Sequence, residues 1–368
     1  MKVAISHDYL NQFGGAERVV EVLHEIFPDA PIFTSIYLPH KLPDSFRKMD
    51  IRTSFMQCLP FLEKHFKKYL PLYPAAFESF DTSSYDVVLS SSSAFAKGIR
   101  KRPDACHICY CYSPMRFVWR YEDYVEKEDL GKTIGFILPF FLKWLKKWDL
   151  RTNKNVDHFV AISNYIAKRI ENFYNRRSDV IYPPVNAGDF EPSADVRDYF
   201  LIVSRLNAYK KIDIAIKAFN ELGLPLKIIG EGPYKKQLFA IAGKNVEFLG
   251  KVPDRELPGY YARCRALIFP GEEDFGITPV EAQAAGRPVI AFASGGALET
   301  VIENRTGVFF NEQNEGSLVN AVRKFENMNF DSNVIRGNAL KFDREVFKER
   351  IKVYVETKYR EFLDAKRK

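Results

Sequence analysis

Short apolar runs alternate with longer amphipathic stretches from one end of this chain to the other. "KVAISH" (2–7) predicts a buried strand, "FGG" (13–15) a turn, and 16–27 a helix. In that helix Val19, Val22, Leu23 and Ile26 recur at i, i+3, i+4 and i+7, the spacing of one helical face. Further strands are predicted at 31–37, 86–92, 107–113, 158–163 and 179–184, with helical stretches between several of them. A proline-rich, apolar-poor segment, "YPPVNAGDFEPSAD" (182–195), then reads as a linker. A second series follows at 199–206, 225–232, 246–252, 265–270, 288–294 and 307–310. The chain closes on a long helix at about 344–363, with Phe347, Ile351, Val355 and Phe362 near one face. Alternating strands and helices predict α/β architecture: parallel sheets with helices on both faces. A length of 368 residues suits two such domains.

Composition adds little to the fold but narrows the setting. The chain is 46% hydrophobic and 27% charged, ordinary for a soluble globular protein. Its net charge is +7, and residues 1–186 hold 26 Lys and Arg against 21 Asp and Glu, so +5 of it lies there. An anionic lipid surface, a phosphorylated ligand and nucleic acid all suit that excess. The most apolar run, "IGFILPFFL" (134–142), is nine residues long, whereas a membrane span needs about 20, so no span is expected. The start, "MKVAISHDYL", carries no secretory pattern. Five cysteines fit a reducing compartment better than a disulfide framework, and the expected location is the cytoplasm.

The chemistry concentrates in three loops. "GEEDFGITPVEAQAAGRPVIA" (271–291) carries Glu273 and Glu281 around a glycine turn. Thr278, Pro279 and Glu281 fit a helix start with a capping box, so Glu281 reads equally as a cap and as a ligand group. Glu273 has no such structural role; it follows an apolar strand, where parallel sheets place ligands. Gly276 lets a ligand near the backbone, and the N-terminus of the following helix suits an anion. "SRLNAYKK" (204–211) sets Arg205 and Lys210 in a short loop at another strand end. The pair suits a diphosphate, or is simply two solvated cations. "NQFGGAER" (11–18) brings Gly14 and Gly15 to the first strand-to-helix turn, again a phosphate cradle or a plain tight turn.

Taken together, these loops resemble the retaining glycosyltransferases of family four, which share the GT-B fold. The E-x7-E element is Glu273 to Glu281, and the R-L-x-x-x-K element runs from Arg205 to Lys210. "HDYLNQFGGAERVV" (7–20), "YCYSPMRFVW" (110–119), "VAISNYIAKRI" (160–170) and "VIYPPVN" (180–186) are similar to bacterial mannosyltransferases that build surface polysaccharides. The resemblance implies two Rossmann-like domains, 1–187 and 188–343, with an interdomain cleft and a returning helix at about 344–368. It implies that Arg205 and Lys210 neutralise the donor diphosphate and that Glu273 holds hydroxyls of the donor sugar. Phe275, Gly276, Ile277 and Thr278 would lie along sugar and phosphate, with Glu281 at the ribose and Gly15 at the diphosphate. The base is expected along 248–252. Where the family has Y-C-H-T-P-x-R, this chain reads Tyr110-Cys111-Tyr112-Ser113-Pro114-Met115-Arg116. Tyr112 thus replaces a histidine that in the family faces the donor sugar. Lys211 also stands where glycine is usual.

Other constellations are weaker. "CHICYC" (106–111) lacks a second pair at zinc-like spacing and reads as strand alternation. No D-x-D occurs, so neither a metal nor another cofactor is expected. Asp8 and Arg116 are candidates for contact with the acceptor. Segments 58–74 and 132–154 mix aromatic and basic residues, which suits contact with the inner face of a membrane or a core helix with a solvated basic side. Nucleic acid is not an expected partner. The resulting expectation is metal-independent transfer of a hexose, mannose first, from a GDP-sugar (or a UDP-sugar) to a glycan or polyprenyl-linked acceptor. Two alternatives remain: an epimerase or phosphorylase on the same fold, and a non-catalytic subunit that binds nucleotide-sugar.

Overall fold

A computed structural model describes residues 1–119 and 132–367, with the side chains of 132–137 excepted. The chain divides into two units, one of Met1–Pro184 with Phe347–Lys368 and one of Val185–Val346.

The first unit is built on seven parallel strands: β1 (Val3–His7), β2 (Ile32–Thr34), β3 (Ile51–Thr53), β4 (Val87–Ser92), β5 (Cys106–Cys111), β6 (His158–Ala161) and β7 (Ser178–Val180). Their order is β3-β2-β1-β4-β5-β6-β7. The direction of progression reverses between β1 and β4, where His7 pairs with Ser91. The apolar run of β1 is buried at every position, as expected of a central strand covered on both faces. β5 behaves the same way: all six residues of "CHICYC" are buried. That corrects the expected alternation, since a strand between two helix layers has no solvent face. Helix Gly15–Ile26 buries Val19, Val20, Val22 and Leu23. Helix Lys132–Thr152 is fixed by a buried ion pair, Lys97 Nζ to Asp149 Oδ1 at 2.8 Å. The ammonium also donates to the Asp149 carbonyl and to Thr152 Oγ1, so all three of its protons are used.

Helix Arg344–Arg367 completes this unit from the far end of the chain. It buries Phe347, Ile351 and Val355, and Phe347 meets Tyr110 edge-on at 5.6 Å.

The second unit has six parallel strands: β8 (Phe200–Val203), β9 (Leu226–Ile229), β10 (Val246–Gly250), β11 (Leu267–Phe269), β12 (Val289–Phe292) and β13 (Gly307–Phe310). Their order is β10-β9-β8-β11-β12-β13, so the reversal falls between β8 and β11. Phe200, Ile202, Phe219, Ile228, Ile268 and Ile290 fill its core. Both units are Rossmann-like, and in such sheets ligands bind beyond the carboxyl ends of the strands flanking the reversal.

Candidate functional site

The reversal in the second unit gathers the predicted donor residues. Arg205 and Lys210 follow β8, and Glu273 follows β11, its neighbour. Lys210 Nζ and Glu273 Oε1 form a close ion pair, although 63 residues (273 − 210) separate them in sequence. Arg205 stands exposed beside them in the chain. The loop after β12 packs backbone to backbone on the glutamate loop. Gly296 N–H donates to the Glu273 carbonyl at 2.8 Å, and Ser294 Oγ donates to Glu272 Oε2 at 2.8 Å. A Cβ on Gly295 would lie 2.3 Å from the Glu273 carbonyl oxygen, and its φ is +62°, so only glycine fits there. Ser294 to Gly296 were missed in the sequence; the small-residue run "ASGG" after an apolar strand was the available signal.

Helix Ile277–Ala284 starts two residues earlier than its capping pattern implies. Gly276, at φ +85°, turns the chain into the helix, and no side chain caps it. The capping box at Thr278 and Glu281 is therefore corrected: Thr278 is the second helical residue. Glu281 is buried, and its Oε2 accepts from Tyr261 Oη at 2.7 Å. Tyr261, fully buried on the neighbouring helix Leu257–Arg263, was not anticipated. Phe275 and Gly276 are buried, whereas Ile277 and Thr278 are half-buried at the helix start. Pro279 removes no hydrogen bond there, because the first N–H groups of a helix have no intrahelical partner. The N–H groups of Ile277 and Thr278 are of that kind, at the positive end of the helix.

Gly15, Tyr112, Asp8 and Arg116 belong to the first unit. Arg116 opens the short helix Arg116–Trp119 and is half-buried. Asp8, expected to contact the acceptor, is 1% exposed. Its Oδ1 accepts from the N–H of Phe95 and Ala96 at 2.6 and 2.7 Å. Its Oδ2 accepts from the N–H of Ser93 and Ala94 and from Ser93 Oγ, at 2.6, 3.1 and 3.0 Å. Five donors fill a carboxylate with about four lone-pair sites. Asp8 therefore clamps the loop after β4 and has no capacity left for a substrate hydroxyl. Gly15 is the first residue of its helix, and the N–H of Gly14 before it donates to Glu17 Oε2 at 2.8 Å. Tyr112 is half-buried beyond β5, its hydroxyl 2.8 Å from Ser91 Oγ and 3.1 Å from the Ala16 carbonyl. Burial pushes the phenol well above its ordinary pKa, so it remains a neutral O–H.

Among the described residues no group of three or more His, Cys, Asp or Glu side chains is arranged to hold a metal. The β5 cysteines are buried thiols; burial pushes Cys106 up to about 12.

A family model described as Glycosyltransferase Family 4 matches residues 13–188, and one described as Glycosyl transferases group 1 matches residues 189–342. The chain belongs to these glycosyltransferases. An uncharacterized glycosyltransferase of Methanocaldococcus jannaschii is 27% identical over 215 residues, 57% of this chain and 61% of that protein. The GDP-mannose-dependent alpha-(1-6)-phosphatidylinositol monomannoside mannosyltransferase of Mycolicibacterium smegmatis is 28% identical over 204 residues, 47% of this chain and 53% of that protein. The match thus spans little more than half the length of these relatives. The crystal structure of Anabaena HepE in complex with UDP has the same fold: the TM-score is 0.71 at 18% identity, covering 97% of this chain and 100% of that one.

Proposed function

We propose that the protein transfers a hexose from a nucleoside diphosphate sugar to a glycan or polyprenyl-linked acceptor, with retention at the anomeric carbon. The observation that carries this reading is the meeting of Lys210 and Glu273 at the β8–β11 reversal. A cation for phosphate and a carboxylate for hydroxyls are thereby set side by side. Arg205 and Lys210 neutralise the diphosphate as charge develops on it, and the N–H groups at the start of helix Ile277–Ala284 add to that stabilisation. Glu273 orients the donor sugar and Glu281 the ribose. The anomeric C–O bond to phosphate breaks, the acceptor oxygen bonds on the same face, and its proton passes to the departing phosphate oxygen. The two cations carry the leaving-group charge, so no step calls for a metal. The mannosyltransferase relative favours GDP-mannose as donor, and UDP-sugar is the alternative that HepE suggests.

The acceptor reading brings a membrane with it. Segments 58–74 and 132–154 hold nine basic and two acidic residues, +7, equal to the net charge of the whole chain. Phe61 is 78% exposed and Phe140 70%, and Trp144 is exposed near Lys143 and Lys147. The side chains of 132–137 within this stretch lie outside the described residues. Exposed rings among lysines suit the inner, anionic face of a bilayer. Among the described residues no helix is long and apolar enough to cross one.

The test is thermal melting with GDP, UDP and their hexose conjugates, followed by transfer assays with the donor that binds. A ligand at about 100 times its Kd adds about 2.7 kcal/mol of stability. GDP and GDP-mannose are expected to raise the midpoint, and GDP-mannose to support transfer on vesicles. No shift with any nucleoside diphosphate, or turnover only to free sugar or sugar phosphate, overturns the reading.

A further inference from the structure

Tyr261 and Glu281 come from two helices of the second unit and meet in its interior. Tyr261 is 0% and Glu281 5% exposed, and the phenol oxygen lies 2.7 Å from Glu281 Oε2. An ionised carboxylate only accepts, so the phenol O–H donates. Other groups fix the backbone on either side. Helix Ile277–Ala284 is buried from Pro279 to Ala284. Its Gln283 Nε2 donates to the Pro279 carbonyl at 3.1 Å and to the Thr300 carbonyl at 2.8 Å. Arg287, just beyond that helix, donates from Nε to the Ala262 carbonyl at 2.7 Å and so ties down helix Leu257–Arg263. The phenol ring is held in turn by Phe190, which is buried and meets it edge-on at 5.5 Å. The Phe190 carbonyl accepts from Arg336 Nη1, as does the Ala284 carbonyl at 2.5 Å. The proline-rich stretch before β8 thus supplies the residue that packs on Tyr261.

We infer that Tyr261 is a positioning residue for the donor: it sets the Glu281 carboxylate in the orientation that receives the ribose hydroxyls. This rests on the donor reading above, and every group involved belongs to the second unit. With both helices held independently, the freedom left at this point is in the side chain of Glu281. A glutamate gives up rotamer freedom when a ligand orders it, and that loss weakens binding. A phenol at hydrogen-bond distance orders it beforehand. Holding Oε2 also sets the plane of the carboxylate, and with it the direction of Oε1. Tyrosine suits the task because its rigid ring packs in an apolar setting and carries an uncharged donor at its tip. Glu281 therefore keeps its full negative charge for the hydroxyls, which a lysine or arginine at 261 would neutralise. The hydrogen bond is not needed to join the two helices, since Arg287 already does so at Ala262.

The test is Tyr261→Phe, which keeps the ring and removes the oxygen. The probes are GDP and 2′,3′-dideoxy-GDP, or the uridine pair where the wild type binds UDP. Wild type should bind the ribose form more tightly than the dideoxy form. Tyr261→Phe should weaken the ribose form about three- to tenfold, the worth of one net hydrogen bond, and leave the dideoxy form unchanged. Donor KM should rise by a similar factor, and by more than kcat falls. In a Glu281→Ala background, which has no carboxylate to orient, Tyr261→Phe should add nothing. Phe190→Leu, which loosens the ring but keeps its hydroxyl, should narrow the gap between the two probes in the same direction, and it carries the test if Tyr261→Phe does not fold. Equal weakening of both probes marks a merely structural tie and overturns the inference. So does a further loss on Tyr261→Phe in the Glu281→Ala protein, or a wild type that binds both probes equally well. Failure of the donor reading shows differently, as a wild type that binds neither probe of either base, and it takes this inference with it.

Discussion

His107 gives the fold a sensitivity to acid that can be worked out in advance. It lies in β5, paired with β4 and β6, and it is fully buried. Its Nε2 lies 2.8 Å from Ser90 Oγ. Burial, the largest influence, holds the imidazole down at about 4, against an ordinary 6.5. Asp157 pulls the other way, and Lys101 opposes the charge. The unfolded chain takes up a proton as pH falls through 6.5, while the folded chain declines it until about 4. Stability from this group is therefore complete above 6.5 and is lost as pH falls toward 4. The gap is worth about 3 kcal/mol in full, of which about 2 kcal/mol is gone by about pH 5. Protection of β5 amides against hydrogen exchange, measured at about pH 7.5 and about pH 5, reads the opening of this unit alone. Wild type should lose about 2 kcal/mol more between the two conditions than His107→Gln, which cannot titrate. Equal losses in the two proteins would refute the reasoning, because His107 would then be free to charge within the fold.

Arg205→Ala and Glu273→Ala are each expected to lower turnover by about a hundredfold or more, since a preorganised charged group at a developing charge is worth roughly 3–4 kcal/mol. Steady-state transfer assays check this, and near-normal rates at saturating donor would count against both roles. Asp8→Asn replaces one acceptor oxygen by an amide facing backbone N–H groups. It should lower stability by about 3 kcal/mol or more in denaturant unfolding, with the loss confined to the first unit.

Much of this architecture is written in local sequence. The buried strands announce themselves because a parallel strand covered on both faces must be apolar throughout, as in "VAISH" and "FLIV". β3 does not: Ile51–Thr53 is short, half-buried at its ends and exposed at Arg52, so its three residues carry no pattern. The donor loops were legible because charged residues after apolar strands have few structural uses. What stayed hidden was pairing across sequence. Nothing near Glu273 announces Lys210, and nothing near Glu281 announces Tyr261; the strand order alone brings each pair together. Asp8 misled for the same reason. An acidic residue after the first strand looks available until four backbone N–H groups from 93–96 converge on it.

From Phe347 on, the helix Arg344–Arg367 belongs to the unit that begins at Met1, with the second unit, Val185–Val346, inserted between. Its anchors are Phe347 against Tyr110, Tyr354 Oη donating to Asp179 at 2.9 Å, and Lys348 paired with Glu25 at 3.0 Å. During synthesis, then, the unit that starts first finishes last. Its sheet can form while the ribosome is still making β8, but the side of Tyr110 that Phe347 covers stays open until the second unit has been made. A ribosome that stalls within the second unit leaves the apolar face that Phe347 covers exposed.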